Sequence, residues 1–279
     1  MANAFERAGH TVGRFDYRAR RNKFKPWSLI KRELLGINEA FVPDVVLIQR
    51  AENMPASFTK IFDVPVVFWS TAPLNHKRDV DKLLSIDASL AWVYLHSYTC
   101  KRIVENDFPH LLQRCSIMHN AGAMENGAGN GERSRFAVFN RDISPRREKW
   151  LSQISDIVDV RSERCGNSYF SDLRNSQISI NIHFDQHSVD EFETGIFEAL
   201  ASGCMVVSET LNPRTIADIG MEEALIQVNS PQQMRSVLLS LKNDPEDVKD
   251  YQKRGMDAMV GNRWDARVAQ MVEKFSALL

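Results

Sequence analysis

The sequence predicts an α/β protein of two domains, each a parallel sheet covered by helices. Three observations predict it. Short apolar runs alternate with amphipathic stretches almost from end to end, the pattern of successive βαβ units. The alternation breaks once, at 120–134, where N-A-G-A-M-E-N-G-A-G-N-G-E-R-S carries four glycines and three asparagines. That stretch cannot support a core and reads as a linker. The chain's 279 residues suffice for two domains of ordinary size.

In the first half, strands are expected at 11–16, 44–49, 64–69, 90–95 and 115–118. Helices are expected at 27–41, with Trp27, Ile30, Leu34 and Ile37 on one face, and at 54–62, 77–86 and 97–106. After the linker, strands are expected at 135–139, 157–161, 177–184, 205–208 and 224–228. Helices are expected at 145–154, 167–175, 192–202, 213–219, 231–242, 245–259 and 262–279. Ser230-Pro231 and Asp244-Pro245 are polar-then-proline helix starts. The reading is two Rossmann-like domains, 1–119 and 135–261, around the linker 120–134, with a C-terminal helix at 262–279.

Composition narrows the function. Apolar residues make up 43% and charged residues 25% of the chain, which fits a globular protein and excludes a disordered one. A net charge of −1 gives no global attraction to nucleic acid, and none is expected as a partner. The longest apolar runs, such as 64–69, fall far short of a bilayer span, and 1–12 does not read as a signal peptide. Cys100, Cys115, Cys165 and Cys204 form no Cys-x-x-Cys pair; four free thiols in a cytoplasmic protein is the expectation.

Several motifs have a plain reading beside a functional one. The Gly-x-Gly of the linker precedes an expected strand rather than a helix, which argues against dinucleotide binding. Asp79-Val80-Asp81 lies in an expected helix, and is read as a charged face rather than a metal site. Residues 14–25 hold six basic residues against one acid, interleaved with Phe15, Tyr17 and Phe24. They are a solvated loop, or they engage an anionic acceptor or a membrane surface. His76 and His96 follow first-domain strands and are candidates for a base or an acceptor contact.

The segment 177–211 is the most informative. A buried strand ends near Phe184, and a loop with Asp185, Asp190 and Glu191 follows, flanked by His183 and His187. A helix then starts near Glu193–Gly195 and stops at Gly203. Open α/β sheets bind ligands at the carboxyl ends of their strands. Free N–H groups of Thr194, Gly195 and Ile196 at that helix start suit a diphosphate. Gly195 leaves room for phosphate to approach the backbone. One turn further on, the Glu198 carboxylate can accept hydrogen bonds from two vicinal ribose hydroxyls. In the plain reading Glu198 is a solvent-facing helix residue, Asp190 a loop acid and His183 a structural group.

D-E-F-E-T-G-I-F-E-A-L-A-S-G-C-M-V-V (190–207) resembles the acidic donor motif of two-domain GT-B glycosyltransferases, with Asp190 and Glu198 in the two acidic places and Asp where Glu is usual. The branch it is most similar to is the spore-maturation CgeB-like group, on F-A-V-F-N-R-D-I-S-P-R-R-E-K-W-L (136–151), Y-F-S-D-L-R-N-S-Q-I-S-I-N-I-H (169–183), and Lys253-Arg254-Gly255, Trp264 and Arg267-Val268. The match covers most of 135–279; in the first half it is architectural. The resemblance implies donor binding in the second domain and an acceptor in the first. Glu198 would hold the ribose, and Gly195 and its neighbouring amides the diphosphate. Arg141, Arg146 or Arg147 would balance phosphate charge, Arg141 foremost. At least one of Arg146 and Arg147 is expected to be merely solvated. Against the family pattern, the first domain lacks its opening strand, and 1–12 looks like the end of the helix that would follow it.

The expected function is metal-independent transfer of a sugar from a UDP, GDP or TDP type donor to a glycan, protein or lipid-linked acceptor, in glycan biosynthesis, with no cofactor. A non-catalytic nucleotide-sugar-binding partner subunit and a sugar-nucleotide epimerase are the alternatives. His76, His96 and Asp190 are the catalytic candidates.

Overall fold

The computed structural model describes the chain except residues 24, 52, 72–73, 75–82, 84, 124–131, 163–164 and 186–191. The chain forms two compact units: Met1–Met118 with Arg267–Leu279, and His119–Ala266.

In the first unit, helices α1 (Ala2–Arg7), α2 (Tyr17–Asn22) and α3 (Trp27–Phe41) precede β1 (Val46–Gln49), β2 (Val66–Ser70), β3 (Trp92–Leu95), α4 (Tyr98–Asp107) and β4 (Cys115–Ile117). The strands are parallel in the order β1-β2-β3-β4. Among the described residues no strand precedes β1 in the chain, and in the sheet β1 pairs with β2 alone. Ile30 of α3 and Cys100 and Val104 of α4 join Phe68, Val93 and Leu95 of the sheet in one core. The apolar spacing of the two helices is what brings those side chains to one face. The C-terminal helix reaches this unit too: Phe275 stacks on Phe5, and the Lys274 ammonium sits over the Trp92 ring at 3.3 Å.

The strand expected at 11–16 does not form. Asp16 turns its carboxylate to the Ala19 amide at 2.9 Å and caps α2 instead. The basic run is correspondingly ordered. Arg20 and Lys25 both pair with Glu33 of α3, and Arg20 and Arg21 lie over the Phe15 and Trp27 rings. A 3-10 turn, Ala56–Ile61, stands where a helix is expected after Met54. Asp79-Val80-Asp81 lies outside the described residues.

In the second unit, β5 (Arg135–Phe139), α5 (Pro145–Leu151), β6 (Asp159–Val160), α6 (Gly166–Arg174), β7 (Ser176–Asn181), α7 (Thr194–Ala201), β8 (Met205–Glu209), α8 (Pro213–Asp218), β9 (Leu225–Val228), α9 (Pro231–Asn243) and α10 (Pro245–Ala258) lead to α11 (Trp264–Ser276). Five parallel strands run in the order β6-β5-β7-β8-β9. One face packs Ile178, Ile180, Met205 and Val207 against Trp150 of α5 and Met234 and Leu238 of α9. The other packs Val138 and Val206 against Leu173 of α6 and Ile196, Phe197 and Leu200 of α7. Burial on both faces explains why these strands read as near-continuous apolar runs. Ser144, Ser230 and Asp244 cap α5, α9 and α10 with their side chains.

The described ends of the 120–134 stretch are built into this unit. Ala121 is fully buried, Gly122 exchanges backbone hydrogen bonds with Asn262 and Trp264 at 3.1 Å, and Arg133 donates to the carbonyls of Ser176 and Ser202. All four cysteines are free thiols.

Candidate functional site

The site lies at the carboxyl ends of β5, β7 and β8, which are adjacent in the sheet. Each strand end delivers polar groups. Asn140 and Arg141 follow β5, Asn181 closes β7 with His183 just beyond, and Glu209 closes β8. Above them α7 begins, with Glu193 as its N-cap.

The Glu193 carboxylate makes no capping bond. It turns to three basic groups from three elements: Arg141 Nη1 at 2.7 Å, Arg147 Nη2 at 3.3 Å and His183 Nδ1 at 3.4 Å. Arg141 Nη1 also donates to Asn181 Oδ1 at 2.5 Å, and Asn181 Nδ2 donates to Ser208 Oγ at 2.9 Å. Arg147 is buried, with Nε on the Ile182 carbonyl at 2.8 Å and Nη1 on the Asp142 carbonyl at 2.9 Å. Arg146 forms a two-pronged pair with Glu209 and donates to the His183 carbonyl at 3.1 Å. Neither Arg146 nor Arg147 is therefore a merely solvated residue, contrary to expectation. Their helix is fastened to strand ends, and one cation is needed at each fastening.

His183 is fully buried. Its Nε2 meets the Thr210 carbonyl at 2.9 Å, which can only accept, so Nε2 carries a proton. Its Nδ1 faces a carboxylate. Burial works against charge on the ring, but Glu193 outweighs burial and raises the His183 pKa. Burial also works against charge on Glu193, yet His183, Arg141 and Arg147 overcome it and hold that carboxyl at about 2. Among the described residues, Arg141, Arg146 and Arg147 meet the two carboxylates Glu193 and Glu209, and the His183 ring lies against the first of them.

The space over Gly195 is filled by Arg141, not left open for a phosphate as expected. A Cβ at residue 195 would lie 2.3 Å from Arg141 Nη2. That Nη2 is buried and has no hydrogen-bond partner among the described residues. Of the expected free amides, Ile196 N–H already donates to the Glu193 carbonyl at 2.9 Å. Thr194 and Gly195 are the first two residues of α7. Glu198, one turn in, is half-buried on α7. Burial raises the Glu198 pKa, and Tyr169 and Arg141 offset that only in part.

His76, Asp190, Glu191 and His187 lie outside the described residues. His96 is in the first unit, 5% exposed, with Nδ1 at 3.0 Å from the Ser70 carbonyl and 3.6 Å from Cys100 Sγ. Among the described residues, no three His, Cys, Asp or Glu side chains group as a metal site. Sequence reasoning did not single out Glu193, Glu209 or Tyr169. The available signal for Glu193 was an acid at a helix start that basic residues on a neighbouring strand's loop would have to face.

No protein-family model matches the chain, and no curated protein matches it. Solved structures do. HepE from Anabaena, described in complex with UDP and glucose, superposes with a TM-score of 0.66 at 10% identity, over 90% of this chain and 81% of that one. A glycosyltransferase from Rickettsia africae gives 0.62 at 9% identity, over 89% and 80%. TarM gives 0.60 at 11% identity, over 88% and 58%, so this chain spans little more than half of TarM's length. These likenesses show the fold: two parallel sheets flanked by helices, as in GT-B glycosyltransferases.

Proposed function

We propose that the chain is a glycosyltransferase that takes its sugar from a nucleoside diphosphate sugar bound in the second unit. The observation that carries this reading is the gathering of Arg141, Arg147 and His183 around Glu193 at the strand ends beneath the start of α7, one turn ahead of Glu198. A diphosphate bridging two esters carries two negative charges, which suits a site gathered from basic side chains. Arg141 Nη2, a buried donor with no partner, is the contact assigned to phosphate. Glu198 is the group assigned to the ribose hydroxyls. When the bond from sugar to diphosphate breaks, charge builds on the leaving oxygen, and fixed cations stabilise it without reorganisation. On this reading the cluster's own cations supply what a metal supplies elsewhere. The likeness to HepE, which was solved with UDP and glucose, supports a UDP-type donor. Acceptor recognition is assigned to the first unit, whose basic run at 14–25 suits an anionic acceptor or the membrane surface that carries one. The CgeB-like resemblance belongs to this reading as well.

The test is a thermal-shift panel of UDP, GDP, ADP, CMP and TDP and their common sugars on the wild type and the Glu198→Ala variant. A ligand at a hundred times its Kd adds about 2.7 kcal/mol to the unit that binds it. One base should shift the wild type and not the variant, and EDTA should not change sugar release from that donor. A wild type blind to every base, or a variant that binds as well as the wild type, refutes the assignment.

A further inference from the structure

Arg141 is held at one end of its guanidinium and left open at the other, and one of the two groups that hold it carries no charge. Asn181 closes β7, is 1% exposed and lies beside Ser208 of β8. Its hydrogen bonds can run in one direction only. A guanidinium has no acceptor, so the amide oxygen is the group that faces Arg141, and Oδ1 accepts from Nη1 at 2.5 Å. The amide nitrogen is then turned to Ser208 Oγ at 2.9 Å, and that hydroxyl donates its own proton to the Glu209 carbonyl at 2.7 Å. Each member accepts from one neighbour and donates to the next, so the amide plane is fixed from the sheet side. Nη1 has two N–H groups, and Asn181 and Glu193 take both. Nη2 lies over Gly195, buried, with no hydrogen-bond partner among the described residues.

A long arginine side chain loses rotamer freedom when it binds an anion, and a site that has already fixed it avoids that cost. A carboxylate such as Glu193 fixes a guanidinium but also offsets its charge. A neutral amide oxygen fixes it and leaves the charge to a ligand. We propose that Asn181 is a positioning residue: its amide oxygen holds Nη1 of Arg141, so that the N–H groups of Nη2 stay directed at a phosphate of the nucleotide donor. The inference rests on the reading of Arg141 as the phosphate contact. Ser208 acts one step further back, by holding the amide that holds the arginine.

Asn181→Leu keeps the side-chain size and removes both polar ends. Ser208→Ala removes only the acceptor that holds the amide, and it carries the same test if Asn181→Leu does not fold. Calorimetric affinities for UDP, GDP and ADP are compared with those for uridine, guanosine, adenosine and inorganic pyrophosphate. The proteins are the wild type, Asn181→Leu, Ser208→Ala, Arg141→Met and the double variant Asn181→Leu with Arg141→Met. The wild type binds the diphosphate of its preferred base more tightly than the nucleoside. Asn181→Leu loses about tenfold of its affinity for that diphosphate and for pyrophosphate, and none for the nucleoside. Ser208→Ala shows the same pattern with a smaller loss. The double variant loses no more than Arg141→Met alone, because the two residues act as one unit. A full diphosphate preference in the folded variants overturns the proposal. So does an equal loss for nucleoside and diphosphate, which marks a packing defect, or a double variant in which the two losses multiply. A wild type that binds nucleoside and diphosphate equally overturns the Arg141 assignment itself, whatever Asn181 does.

Discussion

Gly195→Ala sets two effects of opposite sign against each other at one position. In an ordinary helix, alanine for glycine stabilises by about 0.5–1 kcal/mol. Gly36 in α3 meets that description: a Cβ there has nothing within 4 Å. Gly36→Ala should therefore stabilise the first unit by about that amount. At Gly195 the new Cβ would lie 2.3, 2.5 and 2.8 Å from Arg141 Nη2, Cζ and Nε. The guanidinium must move by about 1 Å to regain the 3.4 Å of ordinary contact. That carries Nη1 away from Asn181 and Glu193, now 2.5 and 2.7 Å distant. Two charge-assisted hydrogen bonds at about 1.5–3 kcal/mol each, less the helix gain, leave a net loss of about 2–5 kcal/mol. For a unit of this size each kcal/mol lowers Tm by roughly 2–4 °C. Scanning calorimetry that resolves the two units' transitions reads both variants at once. The second unit's transition should fall in Gly195→Ala, and nucleotide binding should fall with it. A second unit as stable as the wild type, with affinity unchanged, would mean that Arg141 does not rest on Gly195, and the geometry of the anion site would have to be redrawn.

Acid and base bear on the same cluster from opposite sides. Glu193 is held at about 2 against an ordinary 4.5, so its stabilisation is complete above 4.5 and disappears as pH falls towards 2. At about 1.4 kcal/mol per tenfold change in proton affinity this amounts to about 3 kcal/mol. His183 is raised above 6.5, so its stabilisation is complete below 6.5 and disappears as pH rises through the raised value. Urea unfolding of the second unit should thus be most resistant between those limits, and Glu193→Gln should abolish the acid limb; an unchanged limb would show that other carboxylates set it. Arg147→Met keeps the aliphatic stem but strips the Ile182 and Asp142 carbonyls of their donor, and should cost about 2–5 kcal/mol in the same assay; a loss under 1 kcal/mol would place the worth of Arg147 elsewhere than in those bonds.

Much of the fold was legible because it follows from period and punctuation. The runs at 135–139 and 205–208 are apolar and β-rich, and the structure pairs both within one sheet. The proline starts at Pro231 and Pro245 are helix starts. The expected strand at 11–16 failed because Gly13 and Asp16 are turn and cap residues, and a local capping bond outcompeted a ladder that had no pattern to sustain it. The linker was overdrawn for a related reason. Small residues need not mean an unpacked chain, and Ala121 and Gly122 are small where Met259 and the α7 backbone come close.

The site was legible only in part, for a topological reason. Arg141, His183 and Glu209 are dozens of residues apart in the chain, and they meet because β5, β7 and β8 are neighbours while β6 is set at the edge. A sequence shows which residues follow strand ends; it does not show which strand ends are adjacent. Residue types therefore announced the ingredients, with arginines after one strand, a histidine after another and a helix start above them. They could not announce that Glu193 would lie among those cations, because its partners are set by strand order and not by spacing. In such a sheet a neighbour across the strand order decides whether a carboxylate is a neutralised strut, as Glu209 is on Arg146, or a hub that gathers several basic groups, as Glu193 is.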